Sequence, residues 1–193
     1  TQTVTITIDG TNDAPIIGGG NLGLVTEDGP ITSSDTLTIS DADASDNPIS
    51  FVDIGPTSGD NNYGTFEITS NTWTYRLDNA SAVVQGLDSS DLVVDRYTFA
   101  ANDGSTKEVI VTIFGEDDAP TLDNALVDQF VTHDSAFSYV FAANSFNDAD
   151  LSDALLAYSA TLADNSALPA WLVFDDTTRT FSGTPAVGDV GVI

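Results

Sequence analysis

The strongest constraint on this chain is that it repeats itself. Asp9-Gly10-Thr11-Asn12-Asp13-Ala14-Pro15 returns as Gly115-Glu116-Asp117-Asp118-Ala119-Pro120, each time directly after an alternating apolar run. At an offset of 105, Val4, Thr7, Ile8, Gly10, Asp13, Ala14 and Pro15 fall on Val109, Thr112, Ile113, Gly115, Asp118, Ala119 and Pro120. A second pair, Asp41-Ala42-Asp43-Ala44-Ser45-Asp46 and Asp148-Ala149-Asp150-Leu151-Ser152-Asp153, lies at an offset of 107. Two motifs at nearly one spacing mark a tandem array of modules.

Within each module the pattern is that of strands. Thr3–Ile8 alternates Thr with Val or Ile, the period-2 signature of a half-buried strand. It reads as the last strand of a preceding module. Gly18-Gly19-Gly20 reads as a break. Seven runs follow, Leu22–Thr26, Thr36–Ser40, Ile49–Ile54, Tyr63–Thr69, Thr72–Leu77, Asp95–Ala101 and Lys107–Phe114, separated by Gly, Asn, Asp and Pro turns. Ala82–Leu87 is expected to form one helical turn capped by Ser81. The second module offers Gln129–Thr132, Phe137–Phe141, Leu155–Leu162, Trp171–Phe174 and Arg179–Ser182. The expected fold is all-β: tandem immunoglobulin or cadherin-like Greek-key β-sandwiches, the second incomplete. The boundaries are residues 1–15 for a strand and linker, 16–118 for the first sandwich and 119–193 for the second. Thr1 reads as a cut within a longer protein.

Composition narrows the chemistry. Thirty acidic residues face four basic ones in 193 residues, a net charge of −26. Only four of the acids are Glu, and the other 26 are Asp. Short carboxylates in loops suit turns and hard-cation coordination. A hydrophobic content of 41% supplies a core, which argues against disorder. Nucleic acid and anionic membranes are disfavoured as partners, because phosphate binding needs basic patches. With no cysteine, disulfides, zinc–thiolate sites and thiol nucleophiles are excluded. No run of about 18 apolar residues indicates a membrane-spanning helix, and the first residues have no signal-peptide pattern.

Strand counting gathers the acids at two joints. Asp9, Asn12 and Asp13 of the incoming linker should meet Asp41, Asp43, Asp46 and Asp103 at one end of the first module. Glu27 should meet Glu116, Asp117 and Asp118 at the other, where the second module presents Asp148, Asp150 and Asp153. Each joint then offers at least six carboxylate or amide oxygens, the demand of Ca²⁺ rather than of the tighter Mg²⁺ octahedron. Asp123, Asp164, Asp175 and Asp176 read as turn or surface residues, and Asp88 and Asp91 as loop residues. His133 is the one histidine and no nucleophile elbow occurs, so no catalytic triad is expected. Trp73 and Trp171 read as core residues rather than sugar platforms.

Asp9-Gly-Thr-Asn12-Asp13-Ala-Pro15 resembles the linker motif of cadherins, Asp41-Ala-Asp43 their Asp-x-Asp loop, and Ala101-Asn-Asp103-Gly104 their Ala-x-Asp-Gly turn. Glu27 sits where a cadherin first-strand Glu would. More closely, Val25-Thr-Glu27-Asp28-Gly29, Leu37-Thr-Ile-Ser-Asp41-Ala-Asp43, Tyr63-Gly64-Thr-Phe and Trp73-Thr-Tyr75 resemble the VCBS-type repeat of large bacterial surface proteins, over about residues 16–120. Residues 121–193 resemble a dystroglycan-type cadherin-like immunoglobulin domain, through Leu168-Pro169-Ala-Trp171-Leu-Val-Phe174-Asp175 and Thr178-Arg179-Thr-Phe181-Ser-Gly183-Thr-Pro185. The resemblance implies a calcium-bound repetitive adhesin exported to the bacterial surface or medium. Phe114 and His133 depart from the pattern, at the places of Asp9 and Glu27, and lower the expected ion occupancy of the second joint.

The function expected is that of calcium-stiffened extender or adhesion modules, non-enzymatic, whose partners are the neighbouring modules. The alternatives are a module that binds cell-surface polysaccharide or protein, and an accessory module of a secreted polysaccharide-degrading enzyme.

Overall fold

The computed structural model describes residues 2–43, 48–150 and 156–193. No α-helix occurs among these residues, and the strands account for an all-β protein. The chain divides into two compact units, Thr1–Asp117 and Asp118–Ile193.

The first unit contains β1 (Ile16–Gly19), β2 (Leu22–Thr26), β3 (Thr32–Ser40), β4 (Ile54–Ser58), β5 (Gly64–Thr69), β6 (Thr72–Leu77), β7 (Leu92–Ala100) and β8 (Thr106–Phe114). One sheet has the order β1-β3-β6-β5-β4, and the other the order β2-β8-β7. Alternation decides which side chains lie between them. Trp73, Tyr75 and Leu77 of β6, Phe66 and Ile68 of β5, and Val109, Val111 and Ile113 of β8 are all buried, while their chain neighbours point outward. The sheets meet through aromatic rings, with Phe66 of one sheet 6.4 Å from Phe99 of the other, edge to face. Truncating one such ring to alanine costs about 3–5 kcal/mol. Trp73 is core, and its indole N–H donates to the Gly20 carbonyl at 2.7 Å.

The glycine run has a structural task. β1 pairs antiparallel with β3 in the first sheet, whereas β2 pairs parallel with β8 in the second. The break at Gly18-Gly19-Gly20 is where the chain passes from one sheet to the other. Gly19 has a φ of 90°, and a Cβ there would lie 2.2 Å from the Thr36 carbonyl oxygen. Only glycine tolerates both conditions.

Several expected strands shift. Thr36–Ser40 extends back to Thr32, Asp95–Ala101 starts at Leu92, and Ile49–Ile54 becomes a single bridge, Phe51 to Ala101. The strand that follows, β4, carries Gly55-Pro56 and a register shift between Ile54 and Thr57. Proline removes a ladder donor, so pairing is confined to the sheet edge and interrupted. Ala82–Leu87 forms turns rather than a helix, with the Ser81 carbonyl accepting from Val84 and Gln85. Thr3–Ile8 is in no strand and is exposed.

Asp95 is fully buried. Its Oδ1 accepts from the Asn61 amide at 3.0 Å, and its Oδ2 from the Gly64 amide at 3.2 Å and the Tyr75 hydroxyl at 3.3 Å. The carboxylate therefore fastens the loop between β4 and β5 onto β7. A buried charge is tolerated when hydrogen bonds replace its water. Burial, followed by the Asp95 charge, pushes the Tyr75 phenol well above its ordinary value.

The second unit holds β9 (Thr121–Leu122), β10 (Phe137–Val140), β11 (Phe146–Asn147), β12 (Leu172–Asp175) and β13 (Thr180–Gly183). β13 lies between β10 and β12 in one antiparallel sheet, and β9 pairs with β11. Its core is a cluster of rings: Phe141 stacks on Phe174 at 6.1 Å and meets Tyr158 and Phe146 at 5.3 and 5.9 Å. Trp171 is half-buried, closely apposed to Gly183. Gln129–Thr132 and residues 156–162 carry no strand, and Leu155 lies outside the described residues.

Candidate functional site

Strand register builds the acidic sites. Ile16 of β1 is paired with Ser40 of β3 in antiparallel fashion, so the segment before β1 runs beside the segment after β3. The Asp13 amide donates to Asp43 Oδ2 at 2.6 Å, and the Asp43 amide to Asp41 Oδ1 at 2.8 Å. In the second unit Thr121 of β9 is paired with Asn147 of β11, the same arrangement on shorter strands. There the Asp118 amide donates to Asp150 Oδ2 at 2.8 Å, and the Asp150 amide to Asp148 Oδ1 at 3.1 Å. The sequence echo is thus an echo in geometry. Each Asp-x-Asp is a turn that folds on its first carboxylate and offers its second to the linker.

A different register forms the other end of the first unit. The parallel pair β2 and β8 finishes with Thr26 opposite Phe114, and β7 begins with Leu92 opposite the same Phe114. Three segments therefore leave one end together: residues 27–28, 88–91 and 115–117. Glu27 is 1% exposed, with Oε1 accepting from the Gln85 side chain at 3.1 Å and Oε2 from the Glu116 amide at 3.5 Å. Asp117 Oδ1 accepts from the Ser89 amide at 2.8 Å, which holds its carboxyl below the usual range. Asp88, 7% exposed, accepts at Oδ1 from both the amide and the hydroxyl of Ser90. Gly115 is obligatory here, since a Cβ would lie 2.3 Å from the Asp88 carbonyl oxygen.

Asp13, Asp41 and Asp43 come together, as do Asp118, Asp148 and Asp150, and Glu27 lies with Glu116. The acids of the outgoing linker divide: Glu116 and Asp117 bond back to the first unit, whereas Asp118 bonds within the second. Asp9 is exposed, and among the described residues Asn12 donates to the neighbouring Asp13 carbonyl. Asp103 serves its own turn. Its Oδ1 accepts from the Ser105 hydroxyl at 2.7 Å and amide at 3.0 Å, which lowers its pKa. Asp46 and Asp153 lie outside the described residues. Asp88 lies in a loop, as its sequence indicates, but is buried there, in the Leu87-Asp88-Ser89-Ser90-Asp91 turn directly before β7, at the same end as Glu27. His133 is exposed in a turn, with Nδ1 2.9 Å from Asp134 Oδ2.

Every side-chain donor in these clusters is a hard oxygen or an amide, which fits an alkaline-earth cation and not a soft metal. Among the described residues no three acids are gathered into a metal-sized cage. The carboxylates are aligned by backbone amides and flank one another without enclosing a common point.

Two immunoglobulin-like β units, each with an Asp-x-Asp turn bonded to the segment that enters it, define the class. Residues 12–114 match the bacterial Ig domain family, over more than half of the chain, and the chain belongs to that family. Residues 119–193 match a second family, described as Putative Ig domain. A comparison with curated proteins found no match. Among the described residues no helix is long and apolar enough to cross a membrane. Bacterial Ig domains suit extension or adhesion in surface proteins, and immunoglobulin-like domains are typically non-catalytic.

Proposed function

We propose that the chain forms extender modules of a large bacterial surface or secreted adhesin, of the VCBS-repeat kind with a dystroglycan-type cadherin-like neighbour, and that Ca²⁺ sets their stiffness. The observation that carries the reading is the duplicated Asp-x-Asp-to-linker network, Asp13–Asp43–Asp41 and Asp118–Asp150–Asp148, built by equivalent strand registers. A linker whose backbone is bonded to the adjacent module starts at a fixed place and direction, which is what a stiff array requires.

Calcium, when bound, supplies positive charge that several carboxylates share. Asp13, Asp41 and Asp43 would hold it at the incoming side of the first module, with Glu27, Asp88, Glu116 and Asp117 at the outgoing side and Asp118, Asp148 and Asp150 on the second module. Without a cation the net charge of −26 opposes close approach of these groups. Amide hydrogen bonds hold Asp43 and Asp150 against their linkers in either case. Export to the cell surface or medium follows from this reading, as do neighbouring modules as the partners.

The test is thermal unfolding of the chain in EGTA, in calcium and in magnesium at equal concentration. Extracellular modules bind calcium with Kd on the order of 10⁻⁴ to 10⁻³ M, and saturation at about 100 Kd adds roughly 2.7 kcal/mol per site. Calcium should raise the melting temperature and magnesium much less. Identical curves in EGTA and in calcium would rule the reading out.

A further inference from the structure

Glu27 and Asp28 follow β2 as consecutive carboxylates at the outgoing end of the first unit, and Glu27 is 1% exposed. Neighbouring like charges repel, most strongly where water is excluded. No lysine or arginine relieves them by contact, because Arg76, Arg96 and Lys107 form no ion pair among the described residues. An amide lies between them instead. Gln85 Nε2 donates to Glu27 Oε1 at 3.1 Å and to Asp28 Oδ1 at 3.3 Å.

Both sides of this bridge are fixed. Val84 and Leu87 sink the loop before β7 into the core, and the Gln85 backbone N–H donates to the Ser81 carbonyl at 2.9 Å. Opposite it, Asp28 has a φ of 51°, a conformation that residues other than glycine seldom adopt. Its backbone N–H donates to Asn79 Oδ1 at 3.0 Å, and Asn79 Nδ2 donates to its carboxylate. Asn79 therefore grips Asp28 at backbone and side chain. The remaining atom of the bridge is uncommitted: Gln85 Oε1 accepts no hydrogen bond among the described residues.

Carboxylates only accept, so a side-chain amide between two of them must present its N–H₂. A cation between them reverses that demand, and the same amide, turned about its last torsion, presents Oε1. The spacing suits the exchange. Neighbouring oxygens of a six-oxygen Ca²⁺ shell, each about 2.3–2.6 Å from the ion, lie about 3.3–3.7 Å apart, and closer in a larger shell. With Oε1 where Nε2 stands, Gln85 is at nearly that spacing from both carboxylate oxygens. We infer that Gln85 is the positioning residue of the outgoing calcium site, and that its amide turns when the ion binds. Without a cation, N–H₂ bridges Glu27 and Asp28 and keeps this end assembled. With Ca²⁺, the carbonyl joins the ligands and brings Asp28 into the set. Calcium must displace two hydrogen bonds to enter, so Gln85 also sets the affinity. This role rests on the calcium reading proposed above.

The experiment compares the full chain with Gln85→Glu, Gln85→Leu and Val83→Glu, by thermal unfolding in EGTA and by calcium titration calorimetry. Val83 is 61% exposed on the same loop and controls for added charge alone. In EGTA, Gln85→Glu and Gln85→Leu should both melt several degrees below the wild type, with Gln85→Glu the lower because it adds a third carboxylate. In calcium the order should reverse. Gln85→Glu should bind several-fold more tightly, since affinity rises with ligand charge, whereas Gln85→Leu should bind more weakly and Val83→Glu as the wild type does. A hydrogen bond of purely structural value would lower stability without this change of sign. The second measurement needs no variant to be stable: ¹H–¹⁵N spectra of the wild type, with the Gln85 Nε2–H₂ signals assigned by their absence in Gln85→Glu. Those protons should exchange slowly with water in EGTA and quickly in saturating calcium. If calcium raises the wild-type melting temperature but leaves these signals and the order of the variants unchanged, the role of Gln85 is overturned and the calcium reading stands. If the wild type responds to calcium in neither melting nor calorimetry, both fall together.

Discussion

The backbone amide of Asp118 donates to Asp150 Oδ2 at 2.8 Å, and the bond repeats, at 2.6 Å, one between Asp13 and Asp43 in the first unit. Each bond ties the start of a module to the turn after the strand that pairs with the module's first strand. It fixes where the linker enters before any cation is considered. The two bonds arise from different strands of different lengths, so the arrangement follows from the motif and its register.

Removing one of these acceptors should loosen the module even in chelator. Asp43→Ala deletes a charged acceptor of the Asp13 amide, and hydrogen bonds to charged groups contribute about 1.5–3 kcal/mol. Asp43→Asn keeps an acceptor and should lose less. Thermal unfolding in EGTA checks this order, and equal melting temperatures for the two variants and the wild type would contradict it.

At the outgoing end, Asp88 should matter to calcium more than Asp103. Asp88 is buried beside the turn that holds Asp117, whereas Asp103 is exposed and bonded by Ser105. Asp88→Asn should weaken calcium affinity several-fold by isothermal titration, and Asp103→Asn should leave it nearly unchanged. The reverse order would return the site to the turn after β7.

Alkaline pH should unfold the first unit through Tyr75. Its phenol is raised, by burial first and by the Asp95 charge second, so the folded state keeps the proton above the ordinary tyrosine value. The unfolded chain releases it near pH 10. The stabilisation is therefore intact below about pH 10 and is lost as pH rises above it, toward the folded value. Tyr75→Phe should flatten that loss, measured as urea midpoints between about pH 9 and 11, while lowering stability at neutral pH because Asp95 loses a donor. An unchanged alkaline slope would show that the phenol is not the group responsible.

Gly19→Ala should be costly for a small change. The residue has a φ of 90°, and the added Cβ would press on the Thr36 carbonyl. Strain of this kind costs on the order of 1–3 kcal/mol, and the backbone clash adds to it. Gly188→Ala, where a Cβ meets nothing within 4 Å, is the control. Chemical denaturation should separate the two, and a Gly19 variant as stable as the control would mean that the change of sheets does not depend on this glycine.

The sequence by itself determined what is periodic or repeated. Alternation placed Trp73, Tyr75, Val109, Val111 and Ile113 inside, because side chains on a strand face opposite sides in turn. The repeat placed Asp13 with Asp43 and Asp118 with Asp150, because a duplicated motif on equivalent strands recreates its own contacts. Tertiary structure alone decided what depends on neighbours distant in the chain. It made Gly18-Gly19-Gly20 a passage between sheets, since which sheet β1 and β2 join is set by β3 and β8. It buried Asp95 and Asp88, whose local sequence is that of any strand end or polar turn, because the groups that enclose them come from other segments. It left Thr3–Ile8 out of a strand despite its alternation, and Gln129–Thr132 out of one despite its strand-favouring residues. A strand is completed by the hydrogen bonds of a partner, and local sequence carries the propensity for a strand but not the presence of that partner.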